Sequence, residues 1–190
     1  MNAHKYLRAG ALTVATASLI ALAPAIASGD GGSGGVGTDP ASGSAGGGSN
    51  GDAHSSGVFP IKGAHTYGDG LGAGRGHQGQ DVLAKCGKTL VAAQPGRVRH
   101  VDYQASGAGN YVVIKSKETG FDYVYMHLAA KASVQRGESV QAGEKIGRVG
   151  TTGSSSACHL HFEMWTKPGW YRGGNVENPK PYLKAWDRRG

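Results

Sequence analysis

Helical patterning is what this sequence lacks most plainly. No stretch of about eleven residues carries apolar side chains at helical spacing, and 34 glycines among 190 residues recur too often for long helices. Runs of Lys and Arg interleaved with aromatics are also missing, so the formal charge of +7 does not point to nucleic acid as a partner. Two hydrolytic signatures are absent from the sequence beyond Val58. Without H-E-x-x-H there is no zincin helix, and without G-x-S-x-G there is no elbow there to expose a serine nucleophile, so Ser154, Ser155 and Ser156 read as loop. Low-complexity sequence is present but has no fixed period, which excludes collagen and solenoid repeats. Cysteine is scarce. Cys86 and Cys158 are the two in the chain, leaving one possible connectivity. A bridge between them would close a loop of about 70 residues, a constraint of roughly 4 kcal/mol in the chain-entropy model.

What is there divides the chain into three parts. Lys5 and Arg8 precede an apolar stretch over 9–26, and Ala25 and Ala27 frame a small-residue cleavage site. Thr13, Thr16, Ser18 and Pro24 interrupt that stretch, so 1–27 reads as a cleaved secretory signal rather than a spanning helix. Its removal takes away Lys5 and Arg8 and no acid, leaving a charge of +5. An exported basic chain is drawn to anionic wall polymers and meets conditions in which two cysteines can pair. Residues 28–57 are mostly Gly, Ser, Ala and Asp; they cannot offset the entropy of ordering and read as a flexible linker. One domain remains, over 58–187.

Beyond Val58 the texture changes to short β-branched and aromatic runs separated by Gly-containing turns. The runs are 58–61, 80–83, 89–92, 96–103, 110–116, 121–126, 144–149 and 159–165, and they predict an all-β domain. Gln94-Pro95-Gly96-Arg97 and Gln141-Ala142-Gly143-Glu144 are turn signals. A single short helical turn is expected over 178–185. The Gly-rich segment 68–79 predicts a long loop, and loops of that length in small domains carry function.

Several motifs converge on metal-dependent hydrolysis. His77-Gln78-Gly79-Gln80-Asp81 places an imidazole and a carboxylate where the Gly-rich loop enters a strand, so both can turn toward one point. In His159-Leu160-His161 the two imidazoles share one strand face. Zinc takes imidazole nitrogen and carboxylate oxygen, and a catalytic site keeps three protein ligands and a place for water. His77, Asp81 and either His159 or His161 meet that count, with the other His free for proton transfer; spacing does not decide between them. His127, closing the run Tyr123-Val124-Tyr125-Met126-His127-Leu128, could orient water or stabilise developing charge.

The order of these motifs resembles the lysostaphin-type zinc metallopeptidases. It is carried by His77-x-x-x-Asp81, Val91-Ala92-Ala93 with Gly96, Gly109-Asn110-Tyr111-Val112-Val113-Ile114, Tyr125-Met126-His127-Leu128, Gly137-Glu138-Ser139-Val140 with Gly143 and Ile146-Gly147, Gly150-Thr151-Thr152-Gly153 and His159-Leu160-His161-Phe162-Glu163. It covers about residues 58–165. Cys86, Cys158, Met164-Trp165 and Pro168-Gly169-Trp170-Tyr171 resemble secreted actinobacterial members. The resemblance implies an antiparallel β-sandwich whose groove receives an extended peptide. It implies one zinc ion per chain on His77, Asp81 and His161, with His159 as general base and His127 positioning the water or the scissile carbonyl. The activity implied is cleavage of peptide bonds in peptidoglycan by a secreted monomer. Residues 68–76 depart from the commoner family pattern, in which an Arg sits at a set place before the ligand His; Arg75 either substitutes for it or is unrelated.

With the ligands so assigned, a Cys86–Cys158 bridge would tie the two ligand-bearing strands together beside the zinc. Glu163 shares the His161 face by parity, which would let it back that ligand from outside, but a solvated or salt-bridged Glu is the stronger expectation. Tyr123 and Tyr125 are expected to pack, His65 to line the groove, His100 to be exposed and His54 to lie in the linker. The competing functions are a catalytically silent relative that activates partner hydrolases, and a secreted binding or structural protein of the wall.

Overall fold

The computed structural model describes residues 56–74 and 76–190. The expected signal segment, almost all of the expected linker, His54 and Arg75 lie outside the described residues. Ten strands and one helix follow in chain order: β1 (His65–Tyr67), β2 (Gln80–Ala84), β3 (Thr89–Val91), β4 (Gly96–Gln104), β5 (Gly109–Lys115), β6 (Asp122–Leu128), β7 (Ser139–Val140), β8 (Lys145–Arg148), β9 (His159–Trp165), β10 (Val176–Glu177) and α1 (Lys180–Asp187).

Eight strands form one antiparallel sheet in the order β1-β2-β9-β6-β5-β4-β7, with β10 added to β9; β3 and β8 pair as a small second sheet. The all-β expectation is met. The two sheets are unequal in size and share one core. Leu90 and Ile146 of the small sheet join Val82, Val98, Val112, Ile114, Tyr125, Leu160 and Phe162 of the large sheet in one buried cluster, and Leu183 and Trp186 of α1 complete it. The opposite face of the large sheet carries a smaller cluster of Ala108, Val113, Val124, Met126 and Trp165.

Strand β9 shows why the sequence folds this way. Leu160, Phe162 and Met164 alternate with His159, His161, Glu163 and Trp165, so one face fills the main core and the other is left for polar chemistry. Six of its seven residues are buried because β2, β6 and β10 flank it.

Three differences from the sequence reading have local causes. The run 58–61 contributes one isolated bridge, Ile61 to Leu90, because Pro60 has no N–H to donate to a ladder. Strands β1, β7 and β10 escaped notice because two or three residues carry no readable alternation. The helix starts two residues later than expected and runs to Asp187, with Pro181 in its first turn, where a missing N–H costs nothing.

Candidate metal centre

Strands β2 and β9 are hydrogen-bonded neighbours, and Asp81 lies directly opposite His161 in their register. The Gly-rich loop returns to the start of β2 and brings His77 to the same point. Close approach there depends on Gly79: a Cβ at that position would lie 2.5 Å from the Phe162 carbonyl oxygen and 2.9 Å from His161 Nε2. Gln80 holds the loop from beneath. It is fully buried, and its Nε2 donates to the carbonyls of Gly68, Asp69 and Asp81 at 2.9–3.0 Å.

Three donor atoms meet in a nearly equilateral triangle. His77 Nε2 lies 3.0 Å from Asp81 Oδ1 and 2.9 Å from His161 Nδ1, and His161 Nδ1 lies 2.9 Å from Asp81 Oδ1. Zinc–ligand arms of about 2.0–2.1 Å at tetrahedral angles span edges of about 3.3 Å, so small relaxation seats an ion on these atoms. The outer nitrogens of both imidazoles are already committed. His77 Nδ1 donates to the Gly70 carbonyl at 2.9 Å, and His161 Nε2 donates to Glu163 Oε1 at 3.0 Å. Those partners fix the tautomers. With His77 and His161 both neutral, lone pairs would face each other and a carboxylate oxygen, an arrangement that repels itself unless positive charge enters it, as a proton on His161 Nδ1 or as a metal ion. The donor set therefore fits a divalent zinc ion.

The electrostatics point the same way. Burial opposes charge on His161, but without a metal its N–H groups donate to Asp81 and Glu163, and these bonds and the two carboxylate charges outweigh burial and push its pKa up to about 9. Burial would raise Asp81, yet the hydrogen bond from His161 and the three surrounding imidazoles hold it below the usual carboxylate range. The centre favours a cation.

His127 and His159 flank the triangle, their ring centroids 4.7 Å apart. His159 Nδ1 donates to the Ala157 carbonyl at 2.8 Å, leaving Nε2 with a lone pair 3.6 Å from Asp81 Oδ1. His127 reaches the centre by an irregularity: the β5–β6 register shifts between Asn110 and Val112, and His127 takes φ 62. Bulges re-aim side chains, and a non-glycine residue held in the left-handed region is typical of functional sites. His127 Nδ1 donates to the Thr152 carbonyl at 2.8 Å. Burial, and behind it the charges of His159 and His161, push its pKa down to about 4 against that backbone hydrogen bond.

All five residues named from sequence therefore come together. The remaining expectations fare differently. Glu163 is not solvated but pairs with His161 at 3.0 Å, as its parity allowed: it is buried on the His161 face, and its Oε2 accepts from the indole Nε1 of Trp165 at 2.7 Å and of Trp170 at 3.0 Å. Strand parity gave its face; the two indoles that make a buried carboxylate tolerable were not visible from spacing. His65 lies away from the centre, stacked on Phe59 and bonded to Asp187 at 3.2 Å. His100 is half-buried rather than exposed, because Trp170 packs 6.0 Å from it. Tyr123 and Tyr125 are buried in the main core, as expected. Gln80, Thr152 and Trp170 were missed, since their roles run through backbone carbonyls or a distant loop. Cys86 and Cys158 are disulfide-bonded.

Glu163 satisfies three N–H donors with two oxygens, a task the amide of glutamine cannot perform. Glu163→Gln is expected to weaken zinc binding about 10- to 100-fold, the usual cost of losing an outer partner of a metal ligand. Competition with a chromophoric chelator measures it, and an unchanged affinity would deny Glu163 this part.

Comparison with known proteins matches the profile of peptidase family M23 to residues 75–177. An uncharacterised metalloprotease of Haemophilus influenzae is 41% identical over 90 residues, 47% of this chain and 18% of that protein. The glycyl-glycine endopeptidase ALE-1 of Staphylococcus capitis is 32% identical over 112 residues, 59% of this chain and 30% of that protein. The murein hydrolase activator NlpD of Salmonella dublin is 36% identical over 110 residues, 57% and 26%. The chain thus spans less than a third of the length of these relatives. Among solved structures, the catalytic domain of the antimicrobial peptidase lysostaphin from Staphylococcus simulans superposes with a TM-score of 0.57 at 30% identity, covering 63% of this chain and 92% of that one. A zinc-containing peptidase from Vibrio cholerae superposes with a TM-score of 0.55 at 27% identity, covering 66% and 38%. With more than half of its length matched by the family profile, and the fold shared with its solved members, the chain belongs to peptidase family M23.

Proposed function

We propose that this chain is an exported, zinc-dependent endopeptidase that hydrolyses peptide bonds in the cross-links or stem peptides of peptidoglycan. His77, Asp81 and His161 hold one zinc ion, His159 is the general base and His127 orients the attacking water. The observation that carries the reading is the triangle of three acceptor atoms at 2.9–3.0 Å, backed by outer partners on both imidazoles.

Zinc, when bound, supplies Lewis acidity, polarising the scissile carbonyl and lowering the pKa of water toward about 7. The protein's own groups move the protons. His159 Nε2 carries a lone pair into the cleft and accepts the proton of the attacking water; the imidazolium so formed stays bonded to the Ala157 carbonyl and returns the proton to the leaving amine. His127, neutral and tied through Nδ1 to Thr152, presents Nε2 as an acceptor. That suits it to orient a water hydrogen and not to neutralise an oxyanion.

A basic chain, at +5 after loss of 1–27, is suited to work among anionic wall polymers. The likeness to a murein hydrolase activator favours a second reading, a catalytically silent partner of other hydrolases. Such a protein has no need of three ligands flanked by two imidazoles. Purified peptidoglycan incubated with this protein alone decides between them. The endopeptidase releases new amino termini, stops with 1,10-phenanthroline and recovers with added zinc; an activator releases none until a partner hydrolase is supplied.

A further inference from the structure

Beside the metal centre lies a cavity of about 250 Å³ that shares His127, His161 and Glu163 with it. Its apolar and aromatic walls are Ala108 and Met126 from the outer sheet face and Trp170 and Tyr171 from the loop between β9 and β10. We infer that this cavity is a specificity subsite, in which Met126, Trp170 and Tyr171 receive one uncharged aliphatic side chain of the peptide next to the bond that is cut. The inference rests on the endopeptidase reading for its place in the reaction.

The size and chemistry of the walls set the ligand class. The volume falls below the roughly 300–1,000 Å³ that holds whole small ligands, so it takes a side chain and not a second molecule. Glu163 is the one carboxylate in the lining, and both its oxygens are engaged by three N–H donors, so no free charge awaits a Lys or Arg side chain. Gln104 and Ser154 are neutral. A charged side chain entering here would lose water without gaining a partner.

The aromatic wall is built and held. The Trp170 amide donates to Asp122 Oδ2 at 2.9 Å, and that carboxylate is 1% exposed and gripped by Arg99 at 3.2 Å. The Trp170 indole is fixed to Glu163 at 3.0 Å and packs 5.3 Å from Tyr111. Tyr171 crosses the cleft, its hydroxyl donating to Gln78 Oε1 at 2.8 Å, next to the ligand His77. It does so at φ 45 while 66% exposed. Its ring packs on Trp165 at 5.3 Å and on Trp170 at 4.9 Å, so the left-handed backbone serves to hold the Trp170–Tyr171 pair as one wall of the cavity with an outer face left open.

The test uses zinc-loaded and chelator-treated full-length protein and a host pentaglycine peptide with one internal residue replaced in turn by Ala, Leu, Lys or Glu. Affinities come from NMR titration in chelator, where nothing is cleaved, and turnover from release of amino termini in zinc. Leu is expected to bind at least fivefold more tightly than Lys or Glu. W170A is expected to collapse that contrast to within twofold, W170F to keep most of it, and M126F to turn Leu away while still admitting Ala. Equal affinities across the series, no measurable binding of any member, or a contrast lost equally in W170F and W170A would overturn the subsite. Selective binding without release of amino termini from any peptide or from peptidoglycan refutes the endopeptidase reading alone; cleavage without selectivity refutes the subsite alone.

Discussion

Replacing His161 by alanine is expected to leave the protein unable to retain zinc through gel filtration, whereas His159→Ala retains about one equivalent and loses turnover 10²- to 10⁴-fold, the range of general-base removal. The two residues are separated by one position on the same strand face, and the difference between them is geometric. His161 Nδ1 stands 2.9 Å from both other corners of the donor triangle. His159 Nε2 stands 3.6 Å from Asp81 Oδ1 and outside it, with its other nitrogen spent on the Ala157 carbonyl. Removing a corner leaves two protein ligands, too few for a site that keeps three and a place for water. Elemental analysis of the dialysed variants, set beside amino-terminus release from peptidoglycan, reads both quantities on one preparation. Equal zinc loss in the two variants would end this division of labour.

How much of the centre could be read in advance depended on whether geometry followed from a regular element. His159 and His161 sit in an unbroken strand, so alternation alone put both on one face, and the core residues Leu160, Phe162 and Met164 on the other. His77 and Asp81 required only that a glycine-rich loop be able to turn. The choice of His161 over His159 did not follow from spacing; it came with the resemblance, and the structure brings His161 into the triangle through its register with Asp81. His127 is the opposite case. In a regular β6 it would point away from its neighbour Met126, and the register shift with φ 62 that brings it to the centre leaves no trace in hydrophobic periodicity. The loop carrying Trp170 and Tyr171 was equally opaque. It is fixed by a buried aspartate 48 positions earlier and a glutamate seven positions earlier, contacts that no local pattern encodes.

Opening the Cys86–Cys158 bridge is expected to destabilise the fold by roughly 4 kcal/mol, since the bridge spans a separation of 72 residues in the unfolded chain. For a domain of this size that lowers Tm by on the order of 10 °C, read by calorimetry on the Cys86→Ser/Cys158→Ser variant. The bridge was expected to tie the strands bearing the zinc ligands, and its place in the ladder refines what it should do. Asp81 and His161 pair inside the β2–β9 register, followed by Val82 with Leu160 and Leu83 with His159; the cysteines lie beyond that last pair. The ladder itself holds the zinc ligands, while the bridge anchors the end of β9 that carries the proposed base. The variant, kept below its lowered Tm, should therefore bind zinc within about threefold of the parent, because that much is under 1 kcal/mol, and should lose turnover instead. A Tm equal to that of the oxidised parent would remove the stabilising role, and a large loss of zinc affinity with turnover per bound zinc preserved would show that the bridge acts on Asp81 and His161 after all.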